Sequence, residues 1–158
     1  MGGQTPYFVS VEEALEIAYQ TELATTTEIV VLGDADNRLL ATDITSPHDD
    51  PPFDNSAMDG WAVRHQDTNS ASEKSPVLLE IIGTVQAGET SAPTPVVGFR
   101  QALRIMTGAQ MPEGADSIIQ IEHTTVDDEG KKVKLHYPSK PNFIRRRGEN
   151  LTAGQVVF

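Results

Sequence analysis

The chain has 158 residues, 38% of them hydrophobic and 22% charged, which is a globular composition sufficient for one full domain or two small ones. It contains no cysteine, and this excludes disulfides, thiol nucleophiles and thiolate metal sites. The net charge of −11 lies wholly in residues 1–60, which hold one basic and twelve acidic residues, and such a charge disfavours non-specific binding to nucleic acid or to an anionic membrane.

No apolar run approaches the roughly 20 residues of a membrane span. The N-terminus also lacks the basic-then-apolar pattern of a signal peptide. We therefore expect a soluble protein of the cytoplasm.

The N-terminal region predicts one amphipathic helix. Ser10 and Glu13 have the spacing of a capping box. From Val11 onward, apolar residues recur at i, i+3, i+4, i+7 and i+8, so the helix is expected to end near Leu23. The following "TEIVVL" predicts a short strand, and "DADNRLLATDI" predicts a turn or a short helix with an extended exit.

From Ser46 onward the sequence changes to proline, glycine and short β-branched runs. Four stretches predict strands: "VLLEIIGTVQAG", "ALRIMTG", "DSIIQIEHTTV" and "KKVKLHY". Short strands separated by turn residues indicate a small β-barrel or sandwich, with a hairpin turn at Gly130. "HYPSKPNF" then predicts a connector, and the last stretch, "FIRRRGENLTAGQVVF", could add strands to the region of the N-terminal helix.

The stretch "DPPFDNSAMDGWAV" is unusually polar for a segment with an aromatic residue near each end. It is explained either as an Asx-rich turn anchored by Phe53 and Trp61, or as a rigid loop that holds Ser56 and Asp59 toward a ligand. A positioned carboxylate can accept a proton, orient water or bind Mg²⁺. The residues alone leave both interpretations open.

Two further stretches could bind anions. In "RIMTGAQMPEGAD", Thr107 and Gly108 either end a strand or offer a hydroxyl and N–H groups as an anion nest. In "FIRRRGEN", the three arginines form either a solvated basic edge or a clamp for phosphate or carboxylate. The four histidines lack the spacing of zinc ligands.

Taken together and in this order, "PPFDNSAMDGWAV", "RIMTGAQMPEGADSIIQIE" and "NFIRRRGENLTAGQVV" closely resemble the molybdopterin molybdenumtransferase family, to which the C-terminal part of gephyrin also belongs. The resemblance implies an enzyme that inserts molybdenum from molybdate into adenylyl-molybdopterin and hydrolyses the adenylate with Mg²⁺. It further implies a homodimer in the full-length form, and molybdopterin adenylyltransferase as a possible partner.

The implied fold is α+β and mainly β, with a small β-barrel domain at 48–137 inserted into a discontinuous α+β linker domain at 1–47 and 138–158. Family members continue into a molybdopterin-binding α/β domain and a C-terminal β domain, and we find no counterpart of either in this sequence. The active site of the family lies between the β-barrel domain of one subunit and the α/β domain of its partner. We therefore expect this chain to be inactive alone.

The resemblance assigns Asp59 and Thr107 to catalysis and makes Asn55, Ser56 and Gly108 candidates for substrate binding. The metal ligands are unknown, although Asp59 could hold Mg²⁺. The family's "RRRGED" reads "RRRGEN" here, so Asn150 lacks the carboxylate of the family motif. The alternative function is a non-catalytic dimerisation or protein-interaction module.

Overall fold

The structure is a computed structural model that describes residues 8–22, 25–88 and 94–158. The chain forms two compact units, Met1–Thr42 and Asp43–Phe158. The domain boundaries implied by the family resemblance stay a prediction.

The first unit contains the single α-helix of the described residues, α1 at Val11–Gln20. Its capping box is confirmed, since the Ser10 hydroxyl accepts a hydrogen bond from the Glu13 N–H at 3.1 Å and the Glu13 carboxylate accepts one from the Ser10 N–H at 2.8 Å. The helix ends at Gln20, and the predicted end at Leu23 lies outside the described residues. No residue of α1 is buried in this structure.

The strand predicted at "TEIVVL" is wrong. The described residues show no strand at 27–31, and a 3₁₀ turn covers Leu32–Asp34. Ile29 is fully exposed, and no described segment pairs with this run. A strand requires a hydrogen-bonded neighbour, so β-branched apolar residues alone do not produce one.

The second unit is built almost entirely from short strands, which confirms an α+β, mainly β chain. Strand β1 (Asn55–Ser56) pairs with β8 (Ile144–Arg145). Six further strands form one sheet in the order β5-β2-β4-β3-β7-β6, antiparallel except between β3 and β4, and this sheet curls into a half-barrel. Their bounds are β2 Gly60–Val63, β3 Val77–Val85, β4 Gln101–Ile105, β5 Ser117–Gln120, β6 Thr124–Val126 and β7 Lys132–Leu135.

Both faces of strands β2 and β5 are buried. Trp61 and Val63 of β2 pack in one hydrophobic cluster, whereas Ala62 between them packs in the other. Ile118 and Ile119 of β5 divide in the same way. Burial on two faces explains why these strands are continuous apolar runs in the sequence, because alternation is expected only where one face meets water.

The predicted hairpin at Gly130 is confirmed. Strands β6 and β7 pair antiparallel, and Gly130 has a φ of 69° at the turn between them. Asp127 closes this turn, because its carboxylate accepts hydrogen bonds from the N–H groups of Lys131 and Lys132 at 2.8 and 3.0 Å. The residues of "VDDEGKK" therefore suffice to predict this turn.

The connector after β7 is attached to the sheet by buried hydroxyl groups. The Ser139 hydroxyl lies 2.9 Å from that of Thr68 and 2.8 Å from that of Ser117. All three residues are almost completely buried, and the Ser139 N–H also donates to Thr68 Oγ1. This network holds the start of the connector against β5 before the chain reaches β8.

Gly60 permits the close approach of β2 and β5. A Cβ atom at this position would lie 2.2 Å from the carbonyl oxygen of Ile119. We expect Gly60→Ala to lower the free energy of unfolding by about 2–4 kcal/mol, because the backbone of β5 must move. Gly33→Ala is the matched control, since a Cβ there meets nothing within 4 Å. Urea unfolding measures both, and a Gly60→Ala variant as stable as Gly33→Ala would contradict the close approach of the two strands.

Candidate functional site

The first two motifs of the sequence meet at β1. The Ser56 N–H donates to the carbonyl of Ala109 at 3.0 Å, and the Gly108 N–H donates to the carbonyl of Ser56 at 2.8 Å. The Met111 N–H donates to the carbonyl of Asp54 at 2.9 Å. Residues 54–56 and 108–111 are therefore held together by main-chain hydrogen bonds, although about 50 residues separate them.

The third motif pairs with the other side of the same segment. Asn55 lies opposite Arg145 and Ser56 lies opposite Ile144 in the β1–β8 pair. The Ala57 N–H extends this contact by donating to the carbonyl of Phe143 at 2.8 Å. Residues 54–57 consequently lie between the second and third motifs and contact both.

The three consecutive arginines of the third motif are each paired with a carboxylate of the chain. Their side chains are about 40–70% exposed, yet each guanidinium group has an acidic partner, so an external anion would have to compete with that carboxylate. The pairs are Arg145 with Glu149, Arg146 with Asp54 and Arg147 with Asp49. The geometry thus favours an internally neutralised basic edge over an anion clamp.

Asn150 also has a local function that its sequence position did not indicate. Its side-chain amide donates to the Asp50 carboxylate at 2.9 Å, and its main-chain N–H donates to the Asp50 carbonyl, also at 2.9 Å. A carboxylate at position 150 could not donate this side-chain hydrogen bond. The amide at this position is therefore compatible with the acidic side chain that it faces.

Asp59 and Thr107 are brought together, as the family resemblance implied. Asp59 lies in the turn before β2 and Thr107 lies in the turn after β4, and both are exposed. One carboxylate oxygen, Asp59 Oδ1, accepts hydrogen bonds from the Thr107 N–H at 2.8 Å and from the Thr107 hydroxyl at 2.7 Å. The second carboxylate oxygen, Oδ2, accepts no hydrogen bond from the described residues.

These contacts keep Asp59 ionised. The Thr107 N–H, the Thr107 hydroxyl and the positive charge of Arg104 together lower the pKa of the Asp59 carboxyl below its ordinary value of 3.8. A carboxylate with a lowered pKa is a poor proton acceptor near neutral pH. Asp59 is therefore suited to orient water or to contribute one oxygen to a cation.

The three substrate-binding candidates occupy less accessible positions. Ser56 is buried, and its hydroxyl donates to the carbonyl of Met58 at 2.5 Å within the loop. Gly108 has already donated its N–H to Ser56. Asn55 is 7% exposed, and its side-chain oxygen is buried without a hydrogen-bond partner in the described residues. Their roles in substrate binding stay predictions.

The aromatic anchors differ from each other. Trp61 is 4% exposed and belongs to a core cluster, and its indole N–H donates to Thr124 Oγ1 at 3.1 Å. Phe53 is only half-buried. Trp61 therefore fixes the C-terminal end of the loop, while hydrogen bonds to the second and third motifs fix the rest.

Sequence reasoning missed Arg104 as a site residue. Its guanidinium donates to the carbonyl of Gly60 at 2.8 Å and lies 5.5 Å from the centre of the Trp61 ring. The available signal was a single basic residue within the apolar strand "ALRIM". A single basic residue is also typical of a strand at the edge of a sheet, so this pattern did not identify a site by itself.

The candidate site offers few metal ligands. Across residues 8–22, 25–88 and 94–158, no three His, Asp or Glu residues are grouped as a metal site would require. Asp59 Oδ2 is nevertheless an exposed oxygen of an ionised carboxylate, which fits a cation that takes its other ligands elsewhere. None of the helices in these ranges has the length and apolar character needed to span a bilayer.

The carboxylates around β1 predict a specific loss of stability in acid. The pKa of Asp54 is lowered by hydrogen bonds from the Arg147 N–H and the Arg146 side chain, so its stabilising contribution is complete above the unfolded-state pKa and disappears as pH falls through the folded-state pKa. Because the pair is partly exposed, we expect Asp54→Asn to be destabilising by about 1 kcal/mol or less at neutral pH. The difference from wild type should vanish well below pH ~4.

Thermal unfolding between neutral pH and pH ~2 measures this difference. Asp128→Asn is the control, because Asp128 is exposed and has no hydrogen-bonded partner in the described structure. An Asp54→Asn variant that stays equally destabilised in acid would show that the charge of Asp54 is irrelevant.

Comparison with known proteins gives consistent results. The family model described as the MoeA N-terminal region, domains I and II, matches residues 9–158. The molybdopterin molybdenumtransferase of Bacillus subtilis (strain 168) is 40% identical over 154 residues, which are 95% of this chain and 35% of the relative. That of Synechococcus elongatus is 40% identical over 156 residues, which are 96% of this chain and 37% of the relative.

The fold matches solved structures as well. A crystal structure of the molybdopterin biosynthesis MoeA protein from Pyrococcus horikoshii OT3 superimposes with a TM-score of 0.74 and 36% identity, covering 83% of this chain and 34% of that one. The chain thus spans about a third of the length of the curated relatives that it matches. Because the family model covers nearly every residue, the chain belongs to the family of the MoeA N-terminal region.

Proposed function

We propose that this chain supplies one half of the active site of a molybdopterin molybdenumtransferase, the enzyme that inserts molybdenum from molybdate into adenylyl-molybdopterin. The observation that carries the proposal is the double hydrogen bond from Thr107 to Asp59, which holds an ionised carboxylate at the surface. The names of the relatives supply the transfer of molybdenum to molybdopterin, the family resemblance supplies the adenylylated substrate, and the site supplies a pair of residues suited to the reaction.

In this reaction Asp59 orients water or contributes one ligand to Mg²⁺. Magnesium keeps several waters and is typically bound by one or two carboxylates together with substrate phosphates. Asp59 Oδ2 can serve as such a carboxylate ligand, while Oδ1 remains held by Thr107. When bound, the cation supplies charge neutralisation at the phosphate of the adenylate.

The remainder of the site comes from outside the described residues. A polyanionic substrate is poorly retained by an acidic surface alone. Following the family resemblance, we propose that its principal binding groups belong to an α/β domain of a partner subunit in a homodimer. We propose the β-barrel domain at 48–137 and the linker domain at 1–47 and 138–158 as the parts that this chain contributes. The reaction takes place in the cytoplasm, and a molybdopterin adenylyltransferase supplies the substrate.

A non-catalytic role in dimerisation or protein interaction is the second candidate. It is favoured by α1, whose apolar stripe is exposed in the structure: Val11 is 72% exposed and Leu15 is 53% exposed. An uncovered apolar helix face of this kind is typical of an interaction surface. The catalytic function requires the Asp59 carboxylate, whereas the interaction function does not.

A chimera tests the catalytic proposal. This chain replaces the matching N-terminal region of the Bacillus subtilis relative, and molybdenum insertion into adenylyl-molybdopterin is measured with the purified chimera. We expect Asp59→Asn to lower the rate by about 10²-fold or more, because a charged group acting on the transition state is lost. Thr107→Val removes one of two hydrogen bonds to the carboxylate, and we expect about a tenfold loss.

Asp127→Asn is the matched control, since Asp127 is also a carboxylate with a lowered pKa that accepts main-chain N–H groups, but it lies in the β6–β7 hairpin. Its rate should equal that of the unmodified chimera. Unchanged insertion by the Asp59→Asn chimera would favour the interaction role instead. The 158-residue chain alone should give no insertion.

A further inference from the structure

Arg104 occupies a fixed position beside the candidate site. It lies on β4, opposite Trp61 of β2 and Thr84 of β3, so its backbone is in the middle of the sheet. Its guanidinium is held by the carbonyl of Gly60 at 2.8 Å and by the face of Trp61, whose ring centre is 5.5 Å away. Because the hydrogen bond of the indole to Thr124 fixes Trp61 in turn, the orientation of the guanidinium is determined by two neighbours.

The guanidinium of Arg104 has donors to spare. A guanidinium carries five N–H donors, and the hydrogen bond to Gly60 accounts for one of them. No carboxylate of the described residues lies within ion-pair distance of Arg104. This sets it apart from the arginines that do form ion pairs, namely Arg38, Arg64, Arg145, Arg146 and Arg147.

The charge of Arg104 attracts the Asp59 carboxylate, but no carboxylate of the described residues accepts a hydrogen bond from this half-buried guanidinium. Such a cation is costly unless a hydrogen-bonded anion arrives during function. In a chain with a net charge of −11, a carboxylate partner would have been readily available. The planar fork of arginine also matches the paired oxygens of phosphate-like anions better than lysine does. The hydrogen bond of this cation to the carbonyl of Gly60 brings it to the residue that directly follows Asp59.

We propose that Arg104 is an oxyanion-binding residue, which receives a tetrahedral oxyanion beside Asp59 through its unused N–H donors. The Thr107 and Gly108 N–H groups cannot form the anion nest suggested by the sequence, because Asp59 Oδ1 and the Ser56 carbonyl already accept from them. Only the interpretation of the anion as substrate rests on the proposed function. Both molybdate and a phosphate group of the adenylylated substrate have the required shape and charge.

Anion binding is measured on the ¹⁵N-labelled 158-residue chain by NMR, without turnover. Sodium molybdate and sodium phosphate are titrated separately at constant ionic strength, and the N–H signals of Gly60, Thr107 and the Trp61 indole are followed. We expect saturable shifts with a Kd on the order of millimolar, a weak affinity appropriate to one side chain at the surface. Saturation by molybdate alone would identify the metal oxyanion as the ligand, and saturation by phosphate would identify the phosphate group.

Variants assign the binding to Arg104. Arg104→Gln should weaken it by at least about tenfold, and Arg104→Lys should bind with intermediate affinity because the charge remains and the planar fork is lost. Arg100→Gln is the matched control: the guanidinium of Arg100 also lies near an aromatic ring, 5.9 Å from the centre of Phe99. Asp59→Asn should tighten binding by about two- to tenfold, because a nearby negative charge is removed.

The outcomes separate this inference from the proposed function. The inference would be overturned if neither anion gave saturable shifts, if Arg104→Gln bound the anion as tightly as wild type, or if Arg100→Gln lost as much affinity as Arg104→Gln. None of these results would affect the outcome of the chimera assay. If the Trp61 indole signal of Arg104→Gln loses its dispersion, this variant is not folded as the wild type is, and Arg104→Lys is compared with wild type instead. Equal anion affinity of Arg104→Lys and wild type would then contradict binding through the planar guanidinium. An inactive chimera would leave the measured anion affinity unaffected.

Discussion

The candidate site depends on the double-sided pairing of residues 54–57. This short segment exchanges main-chain hydrogen bonds with residues 108–111 on one side and with residues 143–145 on the other. Each of these contacts joins parts of the chain that are far apart in sequence. The turn that carries Asp59 begins where this segment ends, so the position of its carboxylate relative to Thr107 follows from the pairing.

Electrostatics reinforces the same arrangement. Two acidic residues of the first third, Asp49 and Asp54, are used within the fold, because they accept hydrogen bonds from arginines and from main-chain N–H groups of the third motif. Asp59 uses only one of its two oxygens in this way, and Arg104 uses one donor. Two charged groups with unused hydrogen-bonding capacity therefore lie beside the turn at Gly60, whereas each arginine in the run of three is paired with a carboxylate.

Local patterns predicted much of this structure. The capping box at Ser10, the hairpin at Gly130 and the mainly β character from Ser46 onward follow from short-range chemistry, and the structure confirms them. The strand predicted near Ile29 is wrong because strand formation depends on a partner, which a local pattern does not contain. The pairing of Asn150 with Asp50 and the role of Arg104 were likewise hidden, since both depend on contacts across tens of residues. The Asp59–Thr107 pair came from family resemblance, which carries long-range information that spacing does not.

Thr107 holds Asp59 as an ionised carboxylate, and titration of the Asp59 side-chain carboxyl carbon by ¹³C NMR tests this most directly. We expect a pKa below 3.8 in the wild-type chain, with the Thr107 amide signal following the same titration and a higher Asp59 pKa in Thr107→Val. An Asp59 carboxyl that titrates at or above 3.8, while the Thr107 amide stays unaffected, would contradict the role of Thr107.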